Sequence, residues 1–454
     1  MTTKTKELNG SQQADWNAVG GLIPGRETIG PLFLILSTPI FSFIIIHVVM
    51  NVPEASFTVF LSDLLDDPDG MIAGLCSIIP PPTDPEALRI VACFMAFQLV
   101  LQKYMPGEDF VATVTPAGNR PVYKANGMAS FVCTLFATLL LHAFDLYDIT
   151  KVYDKFPEII STLNVFALML CALLVWKGRV APSSTDCGTN ANWIVDYYWG
   201  VELHPRVLGW DVKMFTNCRF GMMFWAVAPI CFAAKNIQVN GGNLQFGMFV
   251  NVVLQLIYIF KFFHWEMGYM CSMDIQHDRA GYYLCWGCLV WVPTIYTSQS
   301  FYLAEHCPDL PFMTNLIIFV AGCLMVYINY EADNQRAVFR SSGGKCLIWG
   351  KVPDKIVAEY QTGSNEMKKS LLLVGGWWSV SRHFHYIPEI LASLCWSLPA
   401  WNSAFVAPYF YTTYLTILLI DRSYRDDDRC AKKYGTYWSE YRSRVPSKII
   451  PGIL

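Results

Sequence analysis

Long uncharged, strongly apolar stretches recur along the chain, separated by polar segments. A helix needs roughly 20 consecutive apolar residues to cross a bilayer core. Stretches of at least about this length predict membrane-spanning helices at 28–53, 125–144, 236–260, 280–304, 310–330 and 390–420. Shorter stretches fit spans with a charged end, re-entrant segments or buried packing helices, and they lie at 90–102, 159–176, 221–234 and 370–381. The pattern predicts an all-α, polytopic transmembrane helix bundle with about eight to ten spans.

Composition agrees with a membrane protein and narrows the function. Of 454 residues, 54% are hydrophobic and 15% are charged, and the mean hydropathy is +0.32, which is too apolar for a soluble chain of this length. The net charge of −3 gives no reason to expect nucleic-acid binding. The 15 cysteines are scattered without partners at zinc spacing. We therefore predict no metal site.

Polar segments divide the chain into three parts. Residues 1–29 form a polar leader without a secretory signal, so the first span is expected to direct membrane insertion. Residues 30–330 form an N-terminal transmembrane bundle, and a polar segment begins at Glu331. Residues 331–454 form a C-terminal half whose charged stretch, Asp421 to Lys448, predicts a solvent-facing helix.

No soluble-type nucleotide motif is present, because GGLIPG at 20–25 lacks a preceding strand and the required glycine spacing. Arg336 and Arg340 are four residues apart and share a face if the segment is helical. Guanidinium groups can bind phosphate with two hydrogen bonds. The alternative is a positively charged flank beside a span.

The segment 375–390, GGWWSVSRHFHYIPEI, concentrates polar groups between apolar stretches. Such groups are costly at membrane depth and usually serve a function, although a snorkelling helix end is the alternative. His383 and His385 are two residues apart and do not share a helical face, which argues against a metal pair. The charges of 421–429 most simply form a solvated, internally paired helix face rather than a magnesium site.

Polar residues in the first half also recur at helical spacing. Asp274, His277 and Asp278 stand at i, i+3 and i+4, which places them on one helical face. We favour a buried polar network there over a metal site. Tyr258 lies in an apolar run, with Trp265 roughly on its helical face and Glu266 about a quarter-turn away. An isolated tyrosine in a span is more often structural than catalytic.

Six ordered motifs together resemble the sterol reductase family, which includes sterol 14-reductases, the lamin B receptor and the Δ7-sterol reductases. The resemblance covers most of the chain and appears in motifs at 105–127, 198–206, 258–266, 273–297, 382–389 and 421–441. The 14-reductases generally read R-H-P-N-Y-L-G-D where this chain has Phe384, His385, Pro388 and Glu389. This pattern resembles the Δ7 reductases, especially their plant-type branch. Lys261 departs from the aspartate of many relatives.

The resemblance implies NADPH-dependent reduction of the 7,8 double bond of a 5,7-unsaturated sterol in the endoplasmic reticulum membrane. It places the sterol in the 30–330 bundle and NADPH in the 331–454 half, whose charged tail would be cytosolic. Tyr258 would donate a proton, supported by Glu266 or by Asp274 and His277, while Trp265 would stabilise a transient cation. The implied cofactor residues are Arg336, Arg340, Trp378, Arg382, His383, Tyr386, Arg422, Asp426 and Tyr434.

Other functions remain open at this stage. The nearest alternative is reduction of the 14,15 bond of a sterol, and a second is a catalytically silent sterol-binding member of the family. A membrane methyltransferase of the isoprenylcysteine type shares an R-H-x-x-Y motif, but the match across the first half of this chain argues against it. A complex with a sterol isomerase and the oligomeric state are not decided by the sequence.

Overall fold

The computed structural model describes residue 25 and residues 29–66, 71–112, 114–115, 117–190, 192–361, 367–401 and 407–453. The predicted polar leader lies almost wholly outside the described residues. By their internal contacts, the described residues form two compact units. The first runs to Pro311 and adds Pro399–Tyr411, and the second comprises Phe312–Leu398 and the residues from Thr412 onward. Composition had placed a division near Glu331.

The first unit is built mainly from helices. In chain order, its helices begin with α1 (Ile29–Asn51), α2 (Phe57–Asp66), α3 (Met71–Ser77), α4 (Pro85–Tyr104), α5 (Gly127–Ala143), α6 (Lys151–Asp154), α7 (Phe156–Val180), α8 (Trp193–Trp199), α9 (Val212–Val239) and α10 (Phe246–His264). They continue with α11 (Glu266–Tyr269), α12 (Met273–Gln276), α13 (Tyr282–Trp286) and α14 (Ser298–His306). The first unit also contains two antiparallel strand pairs. In one, β1 (Glu108–Val111) pairs with β2 (Val122–Ala125), and in the other, β3 (Arg206–Val207) pairs with β4 (Trp210–Asp211).

The second unit combines helices with one β-hairpin. Its elements are α15 (Phe312–Ser341), β5 (Asp354–Gln361), β6 (Met367–Val374), α16 (Tyr386–Ser397), α17 (Phe410–Tyr434) and α18 (Thr436–Arg444). The first two residues of α17 belong to the first unit. Ile356 and Leu372 of the hairpin pack against Trp438 and Tyr441 of α18. This packing gives the second unit a small apolar core of its own.

Among the described helices, six are long and apolar enough to span a membrane, namely α1, α4, α7, α9, α10 and α15. The apolar helix α5 is shorter, at 17 residues. The predicted polytopic helical membrane fold is confirmed. Three of the shorter apolar stretches, 90–102, 159–176 and 221–234, lie within the long helices α4, α7 and α9.

Among the described residues, four of the apolar stretches form something other than a single long helix. Residues 236–260 include the break between α9 and α10, and residues 390–420 divide between α16, two 3₁₀ turns and α17. Residues 280–304 divide into α13, a π-helical segment (Gly287–Tyr296) and α14, and Pro293 inside the π-helical segment lacks the N–H that a regular helix requires. Residues 370–381 were considered as a span or packing helix, but they form the end of β6 and a 3₁₀ turn. This alternative was wrong because β5 supplies a strand partner along the whole of β6.

Aromatic packing and one close backbone approach hold the first unit together. Phe156 of α7, Phe232 of α9 and Phe301 of α14 are fully buried, and their ring centroids lie 4.8–5.3 Å apart. Gly281 lies against Gly200, which has a φ of +91°. A Cβ atom on Gly281 would lie 2.3 Å from the nitrogen of Gly200. The backbones of α8 and of the start of α13 therefore meet without room for a side chain.

Candidate active site

Two arginines near the end of α15 begin a cluster of cationic and aromatic side chains in the second unit, which we call the cationic pocket. Because α15 is unbroken from Phe312 to Ser341, Arg336 and Arg340 lie one turn apart, as predicted from their spacing. The guanidinium carbon of Arg336 lies 4.4 Å from the ring centroid of Trp378. Within the described residues, the exposed side chain of Arg340 has no hydrogen-bond or ion-pair partner. Its donors are therefore available to an anionic ligand.

A neutral histidine and an ionised aspartate lie beside these arginines. His383 is buried, and its Nε2 atom lies 3.9 Å from an oxygen of Asp426. Burial lowers the pKa of His383 to about 4; Asp426 opposes this shift, and Arg336 adds to it. Burial alone would raise the pKa of Asp426, but the nearby cations, above all Arg429, hold it below its usual value. At neutral pH, His383 is uncharged and Asp426 is an anion.

Aromatic side chains line the same region. The ring of Tyr386 stacks on His383 with centroids 5.1 Å apart, and Trp378 is fixed by an indole hydrogen bond of 2.7 Å to the carbonyl of Ala332. The hydroxyl of Tyr434 donates to Ser370 at 3.3 Å. Arg422 lies on α17, one turn before Asp426. The predicted cofactor residues thus come from α15, from the segment around β6 and α16, and from α17.

Arg382 is bound by the chain itself. One of its Nη atoms donates to the carbonyls of Val445 and Pro446 at 2.7 and 2.8 Å. The backbone N–H of the next residue, His383, donates to the carbonyl of Lys448 at 2.8 Å. Arg382 therefore joins the pocket to residues 445–448 and positions its neighbours.

In the first unit, Tyr258 belongs to a cluster of four aromatic rings. Its ring centroid lies 5.5 Å from that of Trp225 on α9. Trp225 also contacts Tyr296 at 5.0 Å and Tyr411 at 5.5 Å. Trp225 and Tyr411 are buried, whereas Tyr258 and Tyr296 are partly exposed. We call these four residues the aromatic cluster, and the two partly exposed tyrosines form its accessible side.

A cation lies next to Tyr258 on the same helix. The ammonium nitrogen of Lys261 is 5.8 Å from the ring centroid of Tyr258. Trp265, by contrast, follows the end of α10 at His264 and has a non-helical backbone. Trp265 therefore lies outside the helix that carries Tyr258 and does not share its helical face. Trp225, from another helix, contacts the ring of Tyr258.

Glu266 has an evident structural partner. It is buried with Arg219, and the two side chains form an ion pair of 2.5 Å. The second carboxylate oxygen accepts the backbone N–H of Gly127 at 2.7 Å, and Arg219 also donates to Asn126 at 2.6 Å. Glu266 thus lies at the N-terminus of α5, where a negative charge is favourable. Both of its oxygens are bound.

Asp274 and His277 do not share the predicted helical face, because α12 ends at Gln276. The loop instead surrounds the buried ammonium group of Lys213, which donates to the carbonyls of Ile275, at 2.7 Å, and Asp278. This polar network is organised by a lysine that the sequence pattern did not single out.

Comparison with known proteins identifies the family. The sequence matches the ergosterol biosynthesis ERG4/ERG24 family over residues 26–454. The chain belongs to this family. It is 51% identical over 383 residues to 7-dehydrocholesterol reductase of Arabidopsis thaliana, covering 84% of this chain and 88% of that protein.

Two further relatives of this ERG4/ERG24 protein are named for the reduction of different sterol bonds. It is 33% identical to 7-dehydrocholesterol reductase of Xenopus laevis, covering 81% of this chain and 80% of the relative. It is 35% identical to Delta(14)-sterol reductase of Methylotuvimicrobium alcaliphilum, covering 83% and 85%. These matches confirm the prediction that the chain belongs to the sterol reductase family. They also confirm the prediction that it is an oxidoreductase.

In this ERG4/ERG24 protein, the predicted catalytic residues lie in the first unit and the predicted cofactor residues in the second. Sequence reasoning missed Trp225, Tyr296 and Tyr411. Each stands in an apolar stretch where an aromatic residue ordinarily signals core packing. The packing of α9 against α10 brings Trp225 to Tyr258, and Tyr296 of the π-helical segment and Tyr411 of α17 join the cluster through Trp225.

Proposed function

We propose that the protein reduces the 7,8 double bond of 5,7-unsaturated sterols, in the manner of 7-dehydrocholesterol reductase. The observation that carries this proposal is the 51% identity, over most of both chains, to a relative of that name. The polytopic helical fold supports a substrate that dissolves in the membrane. Reduction of the 14,15 bond is the alternative, because a relative named Delta(14)-sterol reductase is 35% identical.

We propose NADPH as the reductant, bound in the cationic pocket of the second unit. The exposed Arg340 and the half-exposed Arg336 fit a phosphate-bearing cofactor, because their guanidinium groups can donate to its oxygens. When bound, NADPH would supply a hydride. The remaining predicted cofactor residues would line or position this pocket.

An isolated carbon–carbon double bond accepts hydride poorly, so the chain must first supply a proton. We propose that Tyr258 donates it, because Tyr258 is on the accessible side of the aromatic cluster. The π electrons of the sterol bond form the new C–H bond, which leaves a carbocation on the sterol and a phenolate on Tyr258. Lys261 is better suited than Glu266 to stabilise that phenolate, because it carries the opposite charge and lies 5.8 Å from the ring. Water then restores the phenol.

A conjugated diene makes this proton transfer easier. Protonation at carbon 8 of a 5,7-diene places the charge at carbon 7 and spreads it toward carbon 5. Hydride addition at carbon 7 then leaves the 5,6 double bond intact. Reduction with deuterated NADPH is expected to place deuterium at carbon 7, and deuterium at carbon 8 would contradict this order.

The function is tested with membranes that contain the protein, 7-dehydrocholesterol and NADPH. We expect loss of the conjugated-diene absorbance and a product heavier by two hydrogens, with no reaction in membranes that lack the protein. The matched variant Tyr258→Phe should lose activity by about 10²- to 10⁴-fold while still binding NADPH. Reduction of a 14-unsaturated sterol instead of the diene would favour the alternative bond. Inactivity on both sterols would favour a binding role.

The proposed location is the endoplasmic reticulum membrane, with the cofactor pocket facing the cytosol. Immunofluorescence after selective permeabilisation of the plasma membrane tests both statements. An epitope inserted after Lys432, on the charged part of α17, should be accessible without permeabilising internal membranes. A complex with a sterol isomerase stays a prediction, and co-purification with that enzyme from native membranes would test it.

A further inference from the structure

A fully buried network of neutral polar side chains lies directly behind the aromatic cluster. Gln255 is its centre, and its Nε2 atom donates to Ser300 at 2.7 Å and to the side-chain oxygen of Asn251 at 2.9 Å. Its Oε1 atom accepts from the indole nitrogen of Trp225 at 2.8 Å and from Gln299 at 3.0 Å. All five side chains are at most 1% exposed. Polar groups this deep in a bundle of membrane helices are costly unless they are satisfied.

The network fixes the orientation of one amide. The Nε1 atom of Trp225 can only donate, so the oxygen of Gln255 must face it. A reversed amide would direct its own donors at the donors of Trp225 and Gln299. Ser300 closes the network by donating to Asn251 at 2.7 Å. The Gln255 amide can therefore accept from Trp225 in only one orientation. This hydrogen bond, together with packing, determines the position of the Trp225 ring.

Trp225 connects this hydrogen-bond network to Tyr258. Gln255 and Tyr258 stand three residues apart on α10 and so lie on one helical side. Trp225 from α9 is hydrogen-bonded to Gln255 and packs against Tyr258, which joins the two helices at one level. Trp225 also contacts Tyr296, the second partly exposed ring. Both accessible tyrosines therefore rest on one immobilised indole.

We propose that Trp225, held by Gln255, is the positioning residue that aims the Tyr258 hydroxyl at the sterol double bond. This inference rests on the proposed function and adds residues to it. A neutral network suits this position, because a carboxylate behind the ring could take a proton from a cationic sterol. Small displacements of an acid relative to the reacting atom are costly, on the order of 10²-fold for about 1 Å.

The test compares Trp225→Phe and Gln255→Leu with the wild-type protein in steady-state sterol reduction. The first variant keeps a ring but removes the N–H, and the second keeps the approximate volume but removes the acceptor. We expect kcat to fall by about 10- to 100-fold while the KM values for sterol and NADPH change little. The solvent deuterium isotope effect on kcat should rise, because a misplaced acid makes proton transfer more rate-limiting. The double variant should be no worse than the more impaired single variant.

Gln98→Leu is the matched control, because Gln98 is an equally buried amide on α4 that donates to Thr134 at 3.0 Å. It should leave kcat and the isotope effect at wild-type values. If Gln255→Leu does not fold, Trp225→Phe decides the question, since it retains every amide of the network. An unchanged isotope effect in Trp225→Phe, alongside an inactive Tyr258→Phe, would overturn this inference alone. Full turnover by Tyr258→Phe would overturn the proposed acid and this inference together.

Discussion

Arg219 donates to Glu266 across 2.5 Å, and both side chains are buried in the first unit. Removal of one partner leaves an uncompensated buried charge, which typically costs about 3–5 kcal/mol. We expect Glu266→Ala to lower the thermal unfolding temperature strongly in detergent, whereas the double variant Arg219→Met/Glu266→Leu should recover part of the loss. A Glu266→Ala protein with wild-type stability and no activity would instead point to a catalytic role.

The cation beside Tyr258 should matter for rate. Replacement of Lys261 by Met removes the charge that would stabilise the phenolate, and we expect kcat to fall by about 10- to 100-fold. Lys261→Arg keeps the charge and should retain most of the activity. Steady-state assays of both variants at several pH values provide the measurement. Equal activity of the Met and Arg variants would exclude an electrostatic contribution from this position.

Arg340 should contribute to cofactor affinity without contributing to sterol binding. A hydrogen bond to a charged group is worth about 1.5–3 kcal/mol, so Arg340→Ala should raise the KM for NADPH by about 10- to 100-fold. The matched control is Arg444→Ala, because Arg444 is an exposed arginine of the same unit that pairs with Glu440. If the KM for NADPH is unchanged in Arg340→Ala, the pocket does not use this guanidinium.

The buried, neutral His383 predicts a loss of stability in acid. Its pKa is about 4 in the folded protein and 6.5 without burial, so the unfolded state binds more protons between these values. Stability is therefore retained above pH 6.5 and lost as the pH falls toward 4, by up to about 3 kcal/mol. His383→Gln should flatten this dependence in unfolding experiments across that range. The exposed His142, changed to Gln, serves as the control, and a wild-type acid profile in His383→Gln would contradict the assignment.

The contact between Gly281 and Gly200 leaves no room for a methyl group. Gly281→Ala places a Cβ atom 2.3 Å from the backbone nitrogen of Gly200, and overpacking of this kind costs about 1–3 kcal/mol. We expect a lower unfolding temperature and reduced yield in membranes. Gly287→Ala is the control, because its added Cβ would have no atom within 4 Å. Equal stability of the two variants would show that the backbones separate easily.

The sequence predicted features that depend on local spacing. Uncharged stretches of full span length predicted α1, α10 and α15, and shorter ones marked α4, α7 and α9 as spans or packing helices, because a bilayer requires about 20 apolar residues whatever the helix packs against. The shared face of Arg336 and Arg340 followed from their spacing, because α15 continues without a break. Both predictions need only the geometry of one helix.

Features that depend on distant partners could not be predicted in this way. The backbone around Asp274 is organised by Lys213, about sixty residues earlier, whose ammonium group donates to the carbonyls of Ile275 and Asp278. The first part of the apolar stretch 370–381 is a strand because β5 pairs with it as far as Val374. Trp225 resembles ordinary core until α9 packs against α10. In each case the deciding interaction links segments that no local pattern connects.

The bonds from Arg382 and His383 to residues 445–448 have a consequence for how relatives are recognised in genomes. Every residue implied for the cofactor pocket stands at or before position 434. A premature stop codon after Arg444 would therefore leave all of those signature residues in the translated sequence, yet remove the carbonyl groups that hold Arg382 and His383. A gene prediction with such an ending would look intact in a motif search while encoding a protein whose cofactor pocket lacks its support.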